Sequence, residues 1–219
     1  MATLLMLDLD NTLIDRDAAF RSSCSAALAQ HRLPAAEVEW LMAADASGYT
    51  PRETLARAMS ERYGPRIPEK AVATLLADGG ADRVTLPPAT REALTRAAAV
   101  GWHSVIVTNG RTKQQETKIR NSGLDALVHG WVISESVGHK KPAPEIFRAA
   151  AALAGAGLES AWMIGDSPAA DIAGAHALSV RSVWVSPDRP WRASGFGPTH
   201  TAPDVAAAIT HVLEAGPVR

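Results

Sequence analysis

From residue 88 onward the chain alternates between stretches of helical spacing and short apolar runs, four times over, and this alternation constrains its fold more than any other feature. The apolar runs fall at residues 103–107, 127–133, 161–164 and 182–185, and a terminal helix follows the last. Strands interleaved with helices predict a parallel sheet covered by helices on both faces. One further apolar run, residues 3–9, opens the chain and ends in the turn-forming pair Asp10-Asn11. Between that run and the alternating region lies a block with helical spacing and no strand. In it Phe20, Cys24, Ala27 and Leu28 share one face, as do Leu55, Ala58, Met59 and Tyr63. Thr50-Pro51-Arg52-Glu53 reads as a capping box with proline at the first helical position, and Pro68 opens a helix closed by Gly79-Gly80. The expected architecture is therefore α/β: a Rossmann-like parallel-sheet core from residues 1–15 and 86–219, with residues 16–85 inserted as a small all-α cap.

Composition narrows the partners. A 219-residue chain that is 47% hydrophobic can bury a sizeable core. Its net charge of -1 argues against a broad basic footprint for nucleic acid, so any bound anion must be held locally. The run Leu4-Leu5-Met6-Leu7 stops at Asp8, too short for a signal peptide or a membrane span, which makes cytoplasmic the default location. The single cysteine, Cys24, sits at a core-like helical position and reads as a packing thiol.

In open parallel sheets, ligands collect beyond the carboxyl ends of the strands. The polar signals of this chain fall there. Asp8-Leu9-Asp10-Asn11-Thr12 ends the first run, Thr108-Asn109-Gly110 the second, Lys141-Pro142 follows the third, and Gly165-Asp166 ends the fourth with Asp171 shortly after. Asp8 and Asp10, two apart on a strand, would address one ligand from the same side. A hydroxyl and amide hydrogens ahead of a helix, as at Thr108 to Gly110, suit phosphoryl oxygens.

These four segments, in this order, resemble the four motifs of the haloacid dehalogenase superfamily, and the helical insert falls where that family carries its first type of cap. The resemblance spans residues 4–15 and 103–185. It implies that Asp8 attacks phosphorus to form an aspartyl phosphate, and that Asp10 first protonates the leaving oxygen and then activates water. It implies a Mg2+ cofactor held by the Asp8 and Asp166 side chains and the Asp10 backbone carbonyl. Lys141, directly before the proline as in the family, would tie down Asp8 and the phosphate; Lys140 is the alternative. Asp171 either acts toward the metal water or Lys141, or is an acid favoured by the first turn of a helix. Many relatives carry glycine where Ser179 stands, a helix end that favours positive φ.

The loop Ser47-Gly48-Tyr49-Thr50-Pro51-Arg52 resembles a cap loop that reaches the active site in relatives. It makes Arg52 a candidate contact for a second anionic or hydroxyl group, with Arg16 a weaker one. His31 and His139 read as surface residues. The six tryptophans read as packing, with Trp191 the possible exception because it follows the last strand. The function implied is Mg-dependent hydrolysis of a small soluble phosphomonoester (a sugar phosphate, a phosphoglycolate-like acid or a nucleoside monophosphate) under a closing cap. The partner is a small phosphorylated metabolite, with no nucleic acid and no membrane. Three alternatives stand beside it: a phosphomutase of the sugar-phosphate type, a haloacid dehalogenase, and a catalytically silent binding or regulatory domain. Asp10 and the Asp166/Asp171 pair speak against the second, and the intact set Asp8, Asp10, Lys141, Asp166 against the third.

Overall fold

The computed structural model describes residues 3–186 and 190–216. The chain divides into two compact units, Met1–Ile14 with Leu86–Arg219, and Asp15–Thr85. Pro187, expected in the loop after the last strand, lies outside the described residues.

The larger unit begins with β1 (Thr3–Leu7), two residues shorter than its apolar run. The chain then enters the smaller unit, described below, and returns as α5 (Pro88–Ala99), β2 (Trp102–Thr108), α6 (Thr112–Asn121), β3 (Gly130–Ile133), α7 (Ser134–Val137) and α8 (Pro144–Ala154). It continues through β4 (Trp162–Gly165), a π-turn at Pro168–Ile172, α9 (Ala173–Ala177), β5 (Arg181–Val185), β6 (His200–Ala202) and α10 (Val205–Ala215). Among the described residues the six strands form one parallel sheet in the order β3-β2-β1-β4-β5-β6. The α/β expectation is met. The three-residue edge strand β6 was not expected, because three residues, two of them exposed, show no period.

β1 is buried on both faces, which is why it reads as an unbroken apolar run. Leu4 and Met6 pack with Val105, Val107 and Met163 against Ile146, Phe147 and Ala150 of α8. α5 and α10 pack together with the sheet, as α8 and α9 do with one another. Gly174 admits the Phe147 ring, since a Cβ there would lie 2.4 Å from it. Successive crossovers run outward from β1 to β3 in one direction and from β4 to β6 in the other. The order of connection thus reverses between β1 and β4, where such sheets form their ligand crevice.

After α9 the chain turns through Ser179, whose φ is 55°. The Val180 N–H donates to Ala175 O at 2.9 Å and the Ser179 N–H to His176 O at 3.0 Å, a helix end that glycine fits without steric cost. Ser179→Gly is expected to stabilise the fold by about 0.5–1 kcal/mol, net of the entropy glycine adds to the unfolded chain. Thermal melting should show a rise of about 2–3 °C; an unchanged midpoint would mean that the serine pays nothing for its left-handed backbone.

The smaller unit contains α1 (Arg16–Gln30), α2 (Glu37–Asp45), α3 (Arg52–Tyr63) and α4 (Glu69–Asp78). Its core joins Phe20, Cys24, Leu28, Leu41, Leu55, Met59, Tyr63, Val72 and Leu76. Burial pushes the Cys24 thiol up to about 12, so it stays protonated and serves as packing. The capping box at residues 50–53 does not form: Pro51 is the N-cap of α3, without a side-chain cap bond. Asp45 organises the approach instead. Its carboxylate accepts from the Gly48 N–H at 2.8 Å, through three consecutive left-handed residues, Ala46, Ser47 and Gly48. Pro68 likewise precedes α4 as its N-cap.

No helix among the described residues is long and apolar enough to cross a membrane.

Candidate active site

β1 delivers Asp8 to the end of the sheet at the reversal point, where the Asp8 N–H donates to Ile164 O of β4 at 2.9 Å. The chain then folds tightly back on itself. Leu13 and Ile14 N–H groups both donate to Leu9 O, Asn11 takes a φ of 58°, and the Asn11 N–H reaches Ile14 O at 2.8 Å. Asp10 therefore stands in a turn rather than on the strand, although still beside Asp8.

Lys141 closes the other side. Its Nζ donates to Asp8 Oδ1 and to Val107 O, both at 2.6 Å, and lies 2.8 Å from Asp171 Oδ1 as an ion pair. Lys140, the alternative, is exposed. The Asn109 side chain aligns Lys141 by pairing with its backbone: Lys141 N–H donates to Oδ1 at 2.8 Å, and Nδ2 donates to Lys141 O at 3.0 Å. Asn109 thus has a scaffolding task that its place in the second motif did not announce. The Gly110 N–H, expected to meet a phosphate oxygen, donates to Ser134 Oγ at 3.0 Å. Thr108 is buried at the end of β2, and its hydroxyl accepts from Gln115 Nε2 at 2.7 Å.

The fourth strand end contributes acid. Asp166 follows β4, and its carbonyl accepts from Trp184 Nε1 at 2.9 Å. Trp184 in turn meets Trp191 edge-on with ring centroids 5.0 Å apart, so Trp191 packs on the scaffold behind this loop. Asp171, fully buried, accepts from the Ser167 N–H at 3.0 Å while facing Lys141. Asp8, Asp166 and Asp171 each offer a carboxylate oxygen within 4.8 Å of the others. Gly165 makes this approach possible: a Cβ at that position would sit 2.2 Å from Asp171 Oδ2. Gly165→Ala is expected to displace Asp171 and with it Lys141, costing about 1–3 kcal/mol of stability and about 10- to 100-fold in turnover. Parallel melting and rate measurements would test this, and parent-like values in both would show that the contact yields.

Burial pushes the Asp8 carboxyl up to about 7; Lys141 pulls it down, and the nearby Asp171 and Asp10 add to the push. For Lys141 burial works against the charge, but Asp171 and Asp8 outweigh it and hold the ammonium well above its ordinary range. The Asp8 and Asp171 carboxylates face the Lys141 ammonium, and the Asp10 carboxylate faces that of Lys118. Carboxylate oxygens of Asp8, Asp166 and Asp171 lying this close together fit a divalent cation with oxygen ligands.

Three residues at the site, Ser134, Gln115 and Lys118, lie outside the sequence motifs, and Thr12 of the first motif gains a definite partner. Thr12 donates from Oγ1 to Asp8 Oδ2 at 3.2 Å, and Ser134 holds Gly110. Gln115 and Lys118 reach Asp10 from α6: Gln115 Nε2 lies 3.0 Å from Oδ2, and Lys118 Nζ lies 2.7 and 2.8 Å from the two carboxylate oxygens. A signal for them existed. α6 is polar except for Ile119, so a buried face through Ile119 must also carry positions 115 and 118, where a glutamine and a lysine stand. Arg52 and Arg16 belong to the smaller unit. Both pair with the buried Asp45 carboxylate, Arg52 Nη1 at 2.8 Å, and both stack over Phe20. His139 is exposed with Glu145 at 3.7 Å, and His31 is partly exposed.

Comparison with known proteins agrees with this arrangement. Residues 5–185 match the family model described as haloacid dehalogenase-like hydrolase. A phosphoserine phosphatase of Thermus thermophilus is 37% identical over 103 residues, 47% of this chain and 41% of that protein. The chain thus spans about two-fifths of the length of that relative. A ribulose-1,5-bisphosphate 5-phosphatase of Halopiger xanaduensis is 28% identical over 205 residues, covering 85% of this chain and 86% of its own. The crystal structure of the HAD-hydrolase YfnB of Bacillus subtilis, bound to magnesium, superposes with a TM-score of 0.76 at 21% identity, over 96% of this chain and 98% of that one, which is a likeness of fold. With most of its length matched and its parallel sheet and acidic strand ends in place, the chain belongs to the haloacid dehalogenase-like hydrolase family.

Proposed function

We propose that the protein is a magnesium-dependent phosphatase that hydrolyses a small soluble phosphomonoester through an aspartyl phosphate on Asp8. The observation that carries this reading is the acidic cluster of Asp8, Asp166 and Asp171 with Lys141 set against two of its members. Asp8 and Asp166, with the Asp10 backbone carbonyl, would hold magnesium, whose charge offsets that of the carboxylates and the phosphate.

In the first half-reaction a carboxylate oxygen of Asp8 bonds to phosphorus while the bond from phosphorus to the alcohol oxygen breaks. Asp10 gives its proton to that oxygen as it leaves. In the second, water attacks the phosphorus of the aspartyl phosphate and passes a proton to Asp10, releasing phosphate and restoring Asp8. Lys141 holds Asp8 in place and supplies positive charge toward the phosphoryl oxygens. The Thr108 hydroxyl binds a phosphoryl oxygen; the Gly110 amide could join it by leaving Ser134. Asp171 keeps Lys141 in position. Arg52 shares one carboxylate with Arg16 and has a side chain 19% exposed, which supports a role in holding a second anionic or hydroxyl group of the substrate.

The related phosphatases act on phosphoserine and a sugar bisphosphate, both small phosphomonoesters, which supports the same class here. The test is phosphate release from a panel of sugar phosphates, phospho-acids and nucleoside monophosphates. Turnover should require magnesium and vanish with chelator. Dehalogenation of 2-chloropropionate without any phosphate release would replace this reading with the carbon–halogen one. Transfer of phosphate between positions of a sugar phosphate, without release, would replace it with the mutase.

A further inference from the structure

We propose that Lys118 and Gln115 are positioning residues for Asp10, holding its carboxyl group where it meets the leaving oxygen; this rests on the phosphatase reading above. Lys118 is 2% exposed, and a buried ammonium needs a partner. Its side-chain partners among the described residues are the two oxygens of Asp10, at 2.7 and 2.8 Å. Contact with both oxygens limits rotation of the carboxyl plane, which a single bond would leave free. Gln115, 1% exposed, adds a third tie from its Nε2 to Asp10 Oδ2 at 3.0 Å. The same Nε2 reaches Thr108 Oγ1 at 2.7 Å and Asn109 O at 3.3 Å. A carboxylate and a carbonyl on the same side chain end require the nitrogen there, so the amide orientation follows from its neighbours.

Gln115 links the proton-transferring group to the hydroxyl that binds the phosphoryl group, so the two keep a fixed separation during the reaction. Both anchors project from consecutive turns of α6, and a helix holds geometry better than a loop. The arrangement depends on Gly110, where a Cβ would lie 2.9 Å from the Gln115 side chain. Asp10 itself stands in a turn, with its side chain 26% exposed, and it is the group that gains from external ties. The proton balance is that of the proposed reaction: one leaves Asp10 with the alcohol and one returns from water. Lys118 and Gln115 neither give nor take one.

The consequence is a dependence on the leaving group. An alkyl alcohol must be protonated as it departs, whereas 4-nitrophenolate departs without help. kcat/KM reports the step in which the alcohol leaves. With magnesium saturating, Lys118→Met is expected to lower kcat/KM about 100-fold on an alkyl phosphate and less than about 5-fold on 4-nitrophenyl phosphate. KM should stay near the parent value, and Lys118→Arg should recover most of the loss. Combined with Asp10→Asn, the substitution should cost nothing further, because both act through one group. Gln115→Met, which leaves no charge unpaired, should show the same asymmetry more weakly and serves if Lys118→Met fails to fold. Equal losses on both esters, or losses that add to that of Asp10→Asn, would overturn the proposal. A parent enzyme that releases phosphate from neither ester would instead overturn the phosphatase reading on which it stands.

Discussion

Replacing Asp8 with asparagine is expected to abolish phosphate release, by at least about 10⁴-fold, and at the same time to raise the melting temperature of the metal-free protein. The rate loss follows from the neutral amide, which cannot form the acyl phosphate bond. The stability gain follows from burial. Asp8 is 7% exposed, with Asp10 and Asp171 close by, and its pKa rises from 3.8 to about 7 on folding. Between those values the folded protein keeps a proton that the unfolded chain has released. Stability therefore falls as pH rises from about 4 to about 7, and the whole penalty is present above 7. Asparagine has no proton to lose and keeps an oxygen for Lys141 to bind. The variant should melt several degrees higher than the parent at pH 8 and at nearly the same temperature near pH 4. Calorimetry across that range, with chelator present, gives the comparison. A gain independent of pH would assign the effect to packing, and a residual turnover near the parent rate would move the nucleophile elsewhere.

Lys141→Met should damage both stability and rate. The ammonium lies 2.6 Å from Asp8 Oδ1, 2.8 Å from Asp171 Oδ1 and 2.6 Å from Val107 O, and the side chain is 2% exposed. Removing it leaves two buried carboxylates facing each other and a carbonyl without its donor. Breaking a buried pair in this way costs about 3–5 kcal/mol, or a fall in Tm of about 10 °C for a chain of this size. Turnover should drop about 10³-fold or more through loss of a preorganised positive charge. Magnesium should restore part of the lost stability by binding the folded form, and none of the lost positioning of Asp8. Arginine is a poor replacement, because its planar fork cannot direct three donors along the lysine's lines. A Met variant that melts like the parent would mean that the carboxylates are already protonated in the absence of metal.

The relation between these two substitutions explains why the site is costly to build. Asp8 is destabilising where it stands and Lys141 compensates for it, so each substitution exposes the half that remains. Such strained charge is what an enzyme gives up in stability for function.

Much of this was legible along the chain. Strand and helix periods differ, 2 against 3.6, and buried parallel strands read as unbroken apolar runs, so β1, β2, β4 and β5 could be located from their residues alone. That they form one parallel sheet followed from alternation. Asp8, Thr108 and Asp166 stood out because ionisable and hydroxyl groups at the end of apolar strands have no packing reason to be there, and Lys141 stood out through the family resemblance, by its place directly before Pro142. The local details were harder. Threonine at residue 50 and glutamate at 53 suggested a capping box, but the long-range ties of Asp45 to Arg16 and Arg52 chose a different entry into α3. Strand β6 needed β5 beside it before three residues could pair.

The residues that only tertiary structure could place share one physical property: their partners are far away in sequence. Lys118 meets Asp10 across 108 positions and Lys141 meets Asp8 across 133, and no periodicity encodes a contact at such range. The sequence by itself determined the parallel sheet, the inserted helical unit and the acidic strand ends, because these follow from local period and polarity. Tertiary structure decided which lysine faces Asp8, that Asn109 braces Lys141, and that two polar residues of α6 turn inward to hold Asp10. Those outcomes rest on the price of burying charge, which a chain pays only where the folded neighbours supply a partner.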